Sequence, residues 1–294
     1  MQKQNGGKIL FVNSFKGGAG KTTLSLMHCI SGLFQGEGYQ DSHFRNVIYV
    51  DLDILGTGTC YLFDEERLTE DRSFDKTGDS VKVPLGIGRQ TEILHMAYLD
   101  PKGKIKAAFG EKHFVSHQTV AIDILEKQVT DYIRKAFQTV PETLLVVDCA
   151  PGFSELEQKV LGFCYDLAGK NDILVEENYV TTLDTAHVRK CIESMNDIDV
   201  SFHYRRESRC VHVVINDIQN YVRYVKEVEE APDAEERIKG IAREIQNRLD
   251  NDRVRVHLWR YSQEMALRNV FSRGQKVENH TEDYLFTGEN YREI

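Results

Sequence analysis

The sequence predicts an α/β fold: a single, mostly parallel, doubly wound sheet flanked by helices. Three observations lead there. Short apolar runs recur along the chain, several of them apolar throughout rather than alternating. Such runs suit strands covered on both faces. Stretches with helical periodicity separate them, and strand–helix alternation means parallel strands joined by right-handed crossovers. The first run also leads through a glycine-rich loop straight into one of the helices.

Taken in order, strands are expected at Ile9–Val12, Val47–Val50, Ile93–Tyr98, Leu144–Val147, Asp172–Val175, Val211–Ile215 and Val254–Leu258. Helices are expected at Thr22–Phe34, Val120–Phe137, Leu183–Met195, Ala234–Leu249 and Gln263–Arg273. In the second of these, Ile124, Leu125, Val129, Ile133 and Phe137 are read as one apolar stripe. Residues 64–90 are charged and turn-rich (Thr77-Gly78-Asp79, Pro84, Gly86, Gly88) and read as a surface insertion. The acidic run Glu227–Glu236 around Pro232 reads as a solvated loop. In such a sheet, ligands sit beyond the C-terminal ends of the strands.

Composition fits this picture. The 294 residues suffice for one large domain, read here as 1–294. At 41% hydrophobic and 28% charged residues, a globular chain is expected. No apolar run approaches the ~20 residues of a membrane span. The polar start, Met1 to Lys8, lacks a signal-peptide core, so a cytoplasmic location is expected. The net charge of −9 argues against a nucleic-acid binder that uses its whole surface, though not against a local basic patch. Six cysteines are scattered without a C-x-x-C pair and read as structural or idle thiols.

Residues 15–23 read Phe-Lys-Gly-Gly-Ala-Gly-Lys-Thr-Thr. Here Gly17, Gly18, Ala19 and Gly20 would let successive backbone N–H groups curl around phosphate oxygens. The helix opening at Lys21 adds its positive dipole end. Lys21 can reach terminal phosphates, Thr22 can ligate Mg²⁺ through its hydroxyl, and Thr23 is counted with them among the nucleotide-binding residues. The ordinary G-x-x-x-x-G-K-[ST] spacing is not met, because Phe15 stands five residues before Gly20; a second lysine, Lys16, heads the loop instead. Two further strands end in acids. Val50-Asp51-Leu52-Asp53 places two carboxylates on one side of a strand end, where they could also be plain turn-capping acids. Leu144–Val147 runs into Asp148, then Cys149-Ala150-Pro151-Gly152. An apolar strand ending in Asp, following a phosphate loop, is the place of a Mg²⁺-holding carboxylate.

The stretch K-G-G-x-G-K-[ST]-T resembles the deviant phosphate loop of the ParA/MinD family of dimeric ATPases. The resemblance extends over four blocks, 8–60, 143–152, 210–217 and 254–277. It implies a slow, partner-regulated ATPase with bound ATP and Mg²⁺. Asp53 would position the attacking water, Asp51 would lie near the metal with Thr22 and Asp148, and Gly152 would sense the terminal phosphate. The chain continues Ile54-Leu55-Gly56 where the family often has Pro-Gln or Ile-Gly. Lys16 would reach across a two-fold axis to the partner's phosphates, making ATP the adhesive of a homodimer. Asn216 would face the adenine; the guanine-reading N-K-x-D is absent from Asn216-Asp217-Ile218-Gln219, which favours ATP over GTP. Trp259 and Arg260 could stack on the base, and plain core packing is the equal alternative for Trp259.

The reading that follows is a nucleotide-gated dimerisation switch that positions or partitions DNA or another large cargo, with a protein partner. The alternatives are an ATP-dependent metabolic or maturation enzyme on the same fold, or an accessory ATPase of a multi-protein system. The acidic end, Glu282 to Ile294, lacks a basic amphipathic helix, so no membrane attachment is expected. Arg243, Arg248, Arg253, Arg255, Arg260, Arg268 and Arg273 are candidates for non-specific DNA contact or, equally, parts of solvated helix faces.

Overall fold

The structure, a computed structural model, describes residues 6–53, 81–84, 90–95, 114–201, 209–217, 234–249, 254–260 and 281–294. Among these, nine strands make one sheet: β1 (Gly7–Ser14), β2 (Asn46–Asp51), β3 (Val81–Pro84), β4 (Gln90–His95), β5 (Thr143–Pro151), β6 (Ile173–Thr182), β7 (Cys210–Asn216), β8 (Val254–Trp259) and β9 (Tyr291–Glu293). Their order is β3-β4-β2-β5-β1-β6-β7-β8-β9. The seven strands from β4 to β8 are parallel, and antiparallel β3 and β9 close the two edges.

Helices α1 (Lys21–Phe34), α2 (Phe114–Thr139), α3 (Glu155–Ala168), α4 (Thr185–Ser201) and α5 (Ala234–Arg248) cover the sheet. Successive side chains of β1 go to opposite faces. Ile9 and Phe11 join a core with α2, α3, α4 and α5, while Leu10 and Val12 join a second core with α1. Both faces of β1 are therefore dry, and its run of apolar residues has no polar alternation to show.

Several elements differ from the sequence reading. Helix α3 has no counterpart in it. Its start is a capping box: the Ser154 hydroxyl accepts from Glu157 N–H, and the Glu157 carboxylate accepts from Ser154 N–H. The Ser-x-x-Glu spacing is visible in the sequence. Strand β6 runs on from Val175 to Thr182 through two glutamates that break the apolar pattern. It can do so because each acid has a cation: Lys8 lies 2.7 Å from Glu176, and Arg209 2.7 Å from Glu177. Helix α4 starts at Thr185, not Leu183, because Asp184 accepts from the N–H groups of Ala186 and His187 and caps it. Ile124 is 54% exposed and does not share the buried stripe of Leu125, Val129, Ile133 and Phe137; one residue before Leu125, it is turned about 100° away.

Within the expected 64–90 insertion, Val81–Pro84 is a strand paired antiparallel to β4, so that part is sheet edge rather than loop. β4 itself lies three residues before the expected Ile93–Tyr98. The rest of that insertion, the helix expected at Gln263–Arg273 and most of the acidic run fall outside the described residues.

Candidate functional site

Strand β1 ends at Ser14, and the loop that follows turns on two glycines with positive φ, Gly18 at 77° and Gly20 at 94°. Gly20 is constrained twice over. Besides its left-handed backbone, an added Cβ would lie 2.8 Å from Asn216 Nδ2 and 2.9 Å from Trp259 Cζ3. On the other side the loop is open, since a Cβ at Gly17 or Gly18 would meet nothing within 4 Å. Gly20 is also the N-cap of α1 and supplies no side-chain cap. The first N–H groups of the helix thus have no capping side chain, the condition for receiving an anion. Lys16, Gly17 and Gly18 are exposed; Ala19 and Lys21 are buried; Thr22 is half-buried and Thr23 is buried in the first turn.

Beside that turn, two strand ends bring acids together. Asp51 closes β2 and stands in register with Asp148 on β5. Both are 2% exposed. The Tyr49 hydroxyl donates to Asp148 Oδ2 at 2.7 Å, while Asp148 Oδ1 is buried without a hydrogen bond. Burial and the neighbouring Asp51 push the Asp148 carboxyl up to about 7, against the pull of Thr22, Tyr49 and Lys21. Two buried carboxylates side by side, one with an unfilled oxygen and a threonine hydroxyl close by, are an all-oxygen donor set suited to a hard divalent cation. Asp53 follows at the strand end, half-buried, its N–H donating to Asp51 Oδ1 at 2.9 Å.

Gly152 lies at the same end with φ 106°. Its N–H donates to the Ser14 carbonyl at 2.8 Å, tying the end of β5 to the head of the loop. Glu157, the capping acid of α3, is 1% exposed, and its Oε1 is buried without a partner. Burial pushes it up to about 7, against its bonds to Ser154 and the nearby Lys21.

Two of the expected base-side residues lie beneath the loop. Asn216, at the end of β7, is fully buried and donates from Nδ2 to the Ala19 carbonyl at 2.7 Å. Trp259, at the end of β8, is fully buried in the α1 core. Both lie against the loop from beneath. Their signal is positional: two strand ends adjacent in the sheet meet under Gly20. The Arg260 side chain is 42% exposed, with its Nε 3.9 Å from Asp217 Oδ2.

The sequence reading also missed Tyr49, although alternation places it on the same side of β2 as Asp51. It missed His187 and Lys190 as well, which line a recess beside Lys16 together with Phe15 and Thr181. Phe15 stacks on Tyr179 with centroids 5.6 Å apart, holding the head of the loop against β6. No signal at the sequence level joins these residues.

No protein-family model matches this sequence, and no curated protein matches it. Solved structures do. The chain is similar to pNOB8 ParA, with 13% identity and a TM-score of 0.51 over 84% of this chain and 74% of that one. It is also similar to McdA of Cyanothece, solved as the ATP complex of a point variant (10% identity, TM-score 0.49, 96% and 90% covered). A third is the MinC:MinD cell division complex of Aquifex aeolicus (13%, 0.46, 94% and 94%). At such identities the likeness is one of fold: the chain shares its fold with pNOB8 ParA.

Proposed function

We propose that this protein binds ATP with Mg²⁺ at the β1–α1 loop and hydrolyses it slowly. On this reading it is a cytoplasmic, nucleotide-gated dimerisation switch that positions or partitions DNA or another large cargo through a protein partner. One observation carries the proposal. The open loop and uncapped start of α1 stand beside a buried acid pair, Asp51 and Asp148, that has an unfilled oxygen. An anion site and a cation site in contact fit a metal-bound polyphosphate.

Thr22, Asp148 and Asp51 would hold the metal, whose chemistry is to neutralise charge between phosphates. Lys21 binds the terminal phosphates from the first turn. Asp53 orients the attacking water. Lys16, exposed at the head of the loop, is free of the constraints that bury Lys21 and serves the partner's nucleotide. Gly152 leaves Ser14 for the terminal phosphate. Adenine preference rests on the absent guanine motif.

The test uses variants. Lys21→Ala should lose ATP, since a charge-assisted contact in an anion site is worth roughly 1.5–3 kcal/mol. Lys16→Ala should bind ATP but neither dimerise nor hydrolyse it, and Asp53→Ala should dimerise without turnover. Mixing the last two should restore some phosphate release, because the site with intact Asp53 receives Lys16 from the other chain. A Lys16→Ala protein that dimerises and turns over normally would overturn the switch. Competition in which GTP displaces labelled ATP more readily than ATP does would overturn the base preference.

A further inference from the structure

The α1 face of the sheet carries a second cluster of ligand-bearing side chains on β6 and β7. Side-chain alternation puts Lys8 of β1, Glu176 of β6, Cys210 and His212 of β7, and His257 of β8 on the α1 face. Lys8 and Cys210 stand at or next to the starts of their strands, and Glu176 and His257 are each the fourth residue of theirs. Glu176 and Cys210 stand directly in register, and His212 is two residues along from Cys210. The Cys210 Sγ is 3.3 Å from His212 Nε2, and Glu176 Oε2 is 4.0 Å from the same nitrogen. One sulfur, one nitrogen and one oxygen all lie within 4.8 Å of one another.

We propose that Glu176, Cys210 and His212 form a binding site for a borderline-soft divalent cation, Zn(II) by its chemistry, separate from the Mg²⁺ site. Tetrahedral Zn(II), with bonds of about 2.0–2.3 Å, holds its ligand atoms about 3.4–3.6 Å apart. The three atoms here need changes in separation of at most about 1.4 Å to reach that spacing. A mixed sulfur, nitrogen and oxygen set prefers zinc to magnesium, whose demand is for oxygen alone.

The histidine is already oriented. Its Nδ1 lies 2.8 Å from His257 Nε2, and the two rings stack with centroids 4.9 Å apart. With Nδ1 donating its proton to His257, the Nε2 lone pair faces Cys210 and Glu176, which is the arrangement of a ligating imidazole with an outer hydrogen-bond partner. His257 in turn stacks on Tyr291 at 5.0 Å. Lys8 sits 2.7 Å from Glu176 Oε2. It takes one of the lone-pair sites of the carboxylate and leaves the others for a metal. Cys210 and Glu176 are half-buried, so the cation has a way in, and water supplies the fourth position. On binding, the Cys210 thiol gives its proton to solvent and bonds as thiolate. The metal would clip β6 to β7.

The experiment uses the full chain in excess Mg²⁺, which keeps the oxygen site occupied. Equilibrium dialysis with Zn(II) alone should give one zinc per chain. Co(II) in its place should show a thiolate charge-transfer band. Cys210→Ser should abolish that band, and His212→Gln should weaken zinc at least about tenfold. Asp148→Asn should leave zinc uptake unchanged. A mutation-free measurement guards against misfolding: Zn(II) should slow alkylation of Cys210 in the unaltered chain, read by peptide mass spectrometry. No zinc uptake in excess Mg²⁺ would overturn the proposal. So would zinc uptake that leaves Cys210 alkylation unchanged, or a cobalt–thiolate band that survives in Cys210→Ser.

Discussion

Glu177 and Asp148 are both buried carboxylates on neighbouring parts of one sheet, at 1% and 2% exposure, and they are treated in opposite ways. Glu177 is filled. Its Oε1 accepts from Tyr165 and from Arg209 Nε, and its Oε2 accepts from Tyr179 and from Arg209 Nη2. Arg209 reaches on to Asp199. Asp148 has the Tyr49 hydroxyl on one oxygen, the Thr22 hydroxyl close by, no hydrogen bond on its buried Oδ1, and another acid beside it. A buried charge with every lone pair taken holds a fold together. A buried charge with lone pairs left over and a like-charged neighbour costs stability, and it persists where something else is to be bound.

The strongest way to break this contrast is Arg209→Ala. It strands Glu177 as an uncompensated buried charge and should cost about 3–5 kcal/mol in urea unfolding. A loss below about 1 kcal/mol would mean that the two tyrosine hydroxyls satisfy Glu177 alone. Next is Gly20→Ala, which forces a Cβ into a left-handed backbone against Asn216 and Trp259. It should cost roughly 1–3 kcal/mol and weaken nucleotide binding with it. An unchanged midpoint would show that the loop can be rebuilt without its support.

Asp148→Asn sharpens the comparison by its sign. Without metal it should stabilise the chain at neutral pH by about 1–2 kcal/mol, because it removes a like charge from beside Asp51. The same variant should lose Mg²⁺-dependent nucleotide binding. Destabilisation of the metal-free chain would place Asp148 with Glu177 as a structural acid.

The smallest effect is expected at Glu157, another buried acid with an unfilled oxygen. Its carboxyl is pushed up from 4.5 to about 7. The folded chain therefore keeps this proton after the unfolded chain has lost it, so the contribution of Glu157 to stability falls as pH rises from about 4.5 to 7. Glu157→Gln keeps an acceptor for Ser154 N–H and should flatten that slope, gaining about 1 kcal/mol near pH 8 relative to pH 6. Parallel pH profiles for the two proteins would refute this.

What is legible in the sequence is local or periodic. The buried strands announce themselves because dry faces demand unbroken apolar runs, and the loop announces itself because its turns at Gly18 and Gly20 have positive φ, which glycine adopts without strain. Asp51, Asp53 and Asp148 are legible because strand ends are where a parallel sheet presents side chains to a ligand. Helix α3 is also legible, through Ser154 and Glu157, although the periodicity of the apolar runs passes over it.

The remainder depends on partners far apart in the chain. That β6 tolerates Glu176 and Glu177 is decided by Lys8 and Arg209, which come from β1 and from the start of β7. That Asn216 and Trp259 prop up Gly20 rather than reach outward is decided by β7 and β8 ending side by side beneath the loop. Tyr49 on Asp148, and Cys210 and His212 beside Glu176, come from strand register. Register is set by the packing of whole faces, and a single strand read alone does not carry it. Composition and period establish which residues are buried; only the tertiary structure decides which buried polar groups find each other and which are left open.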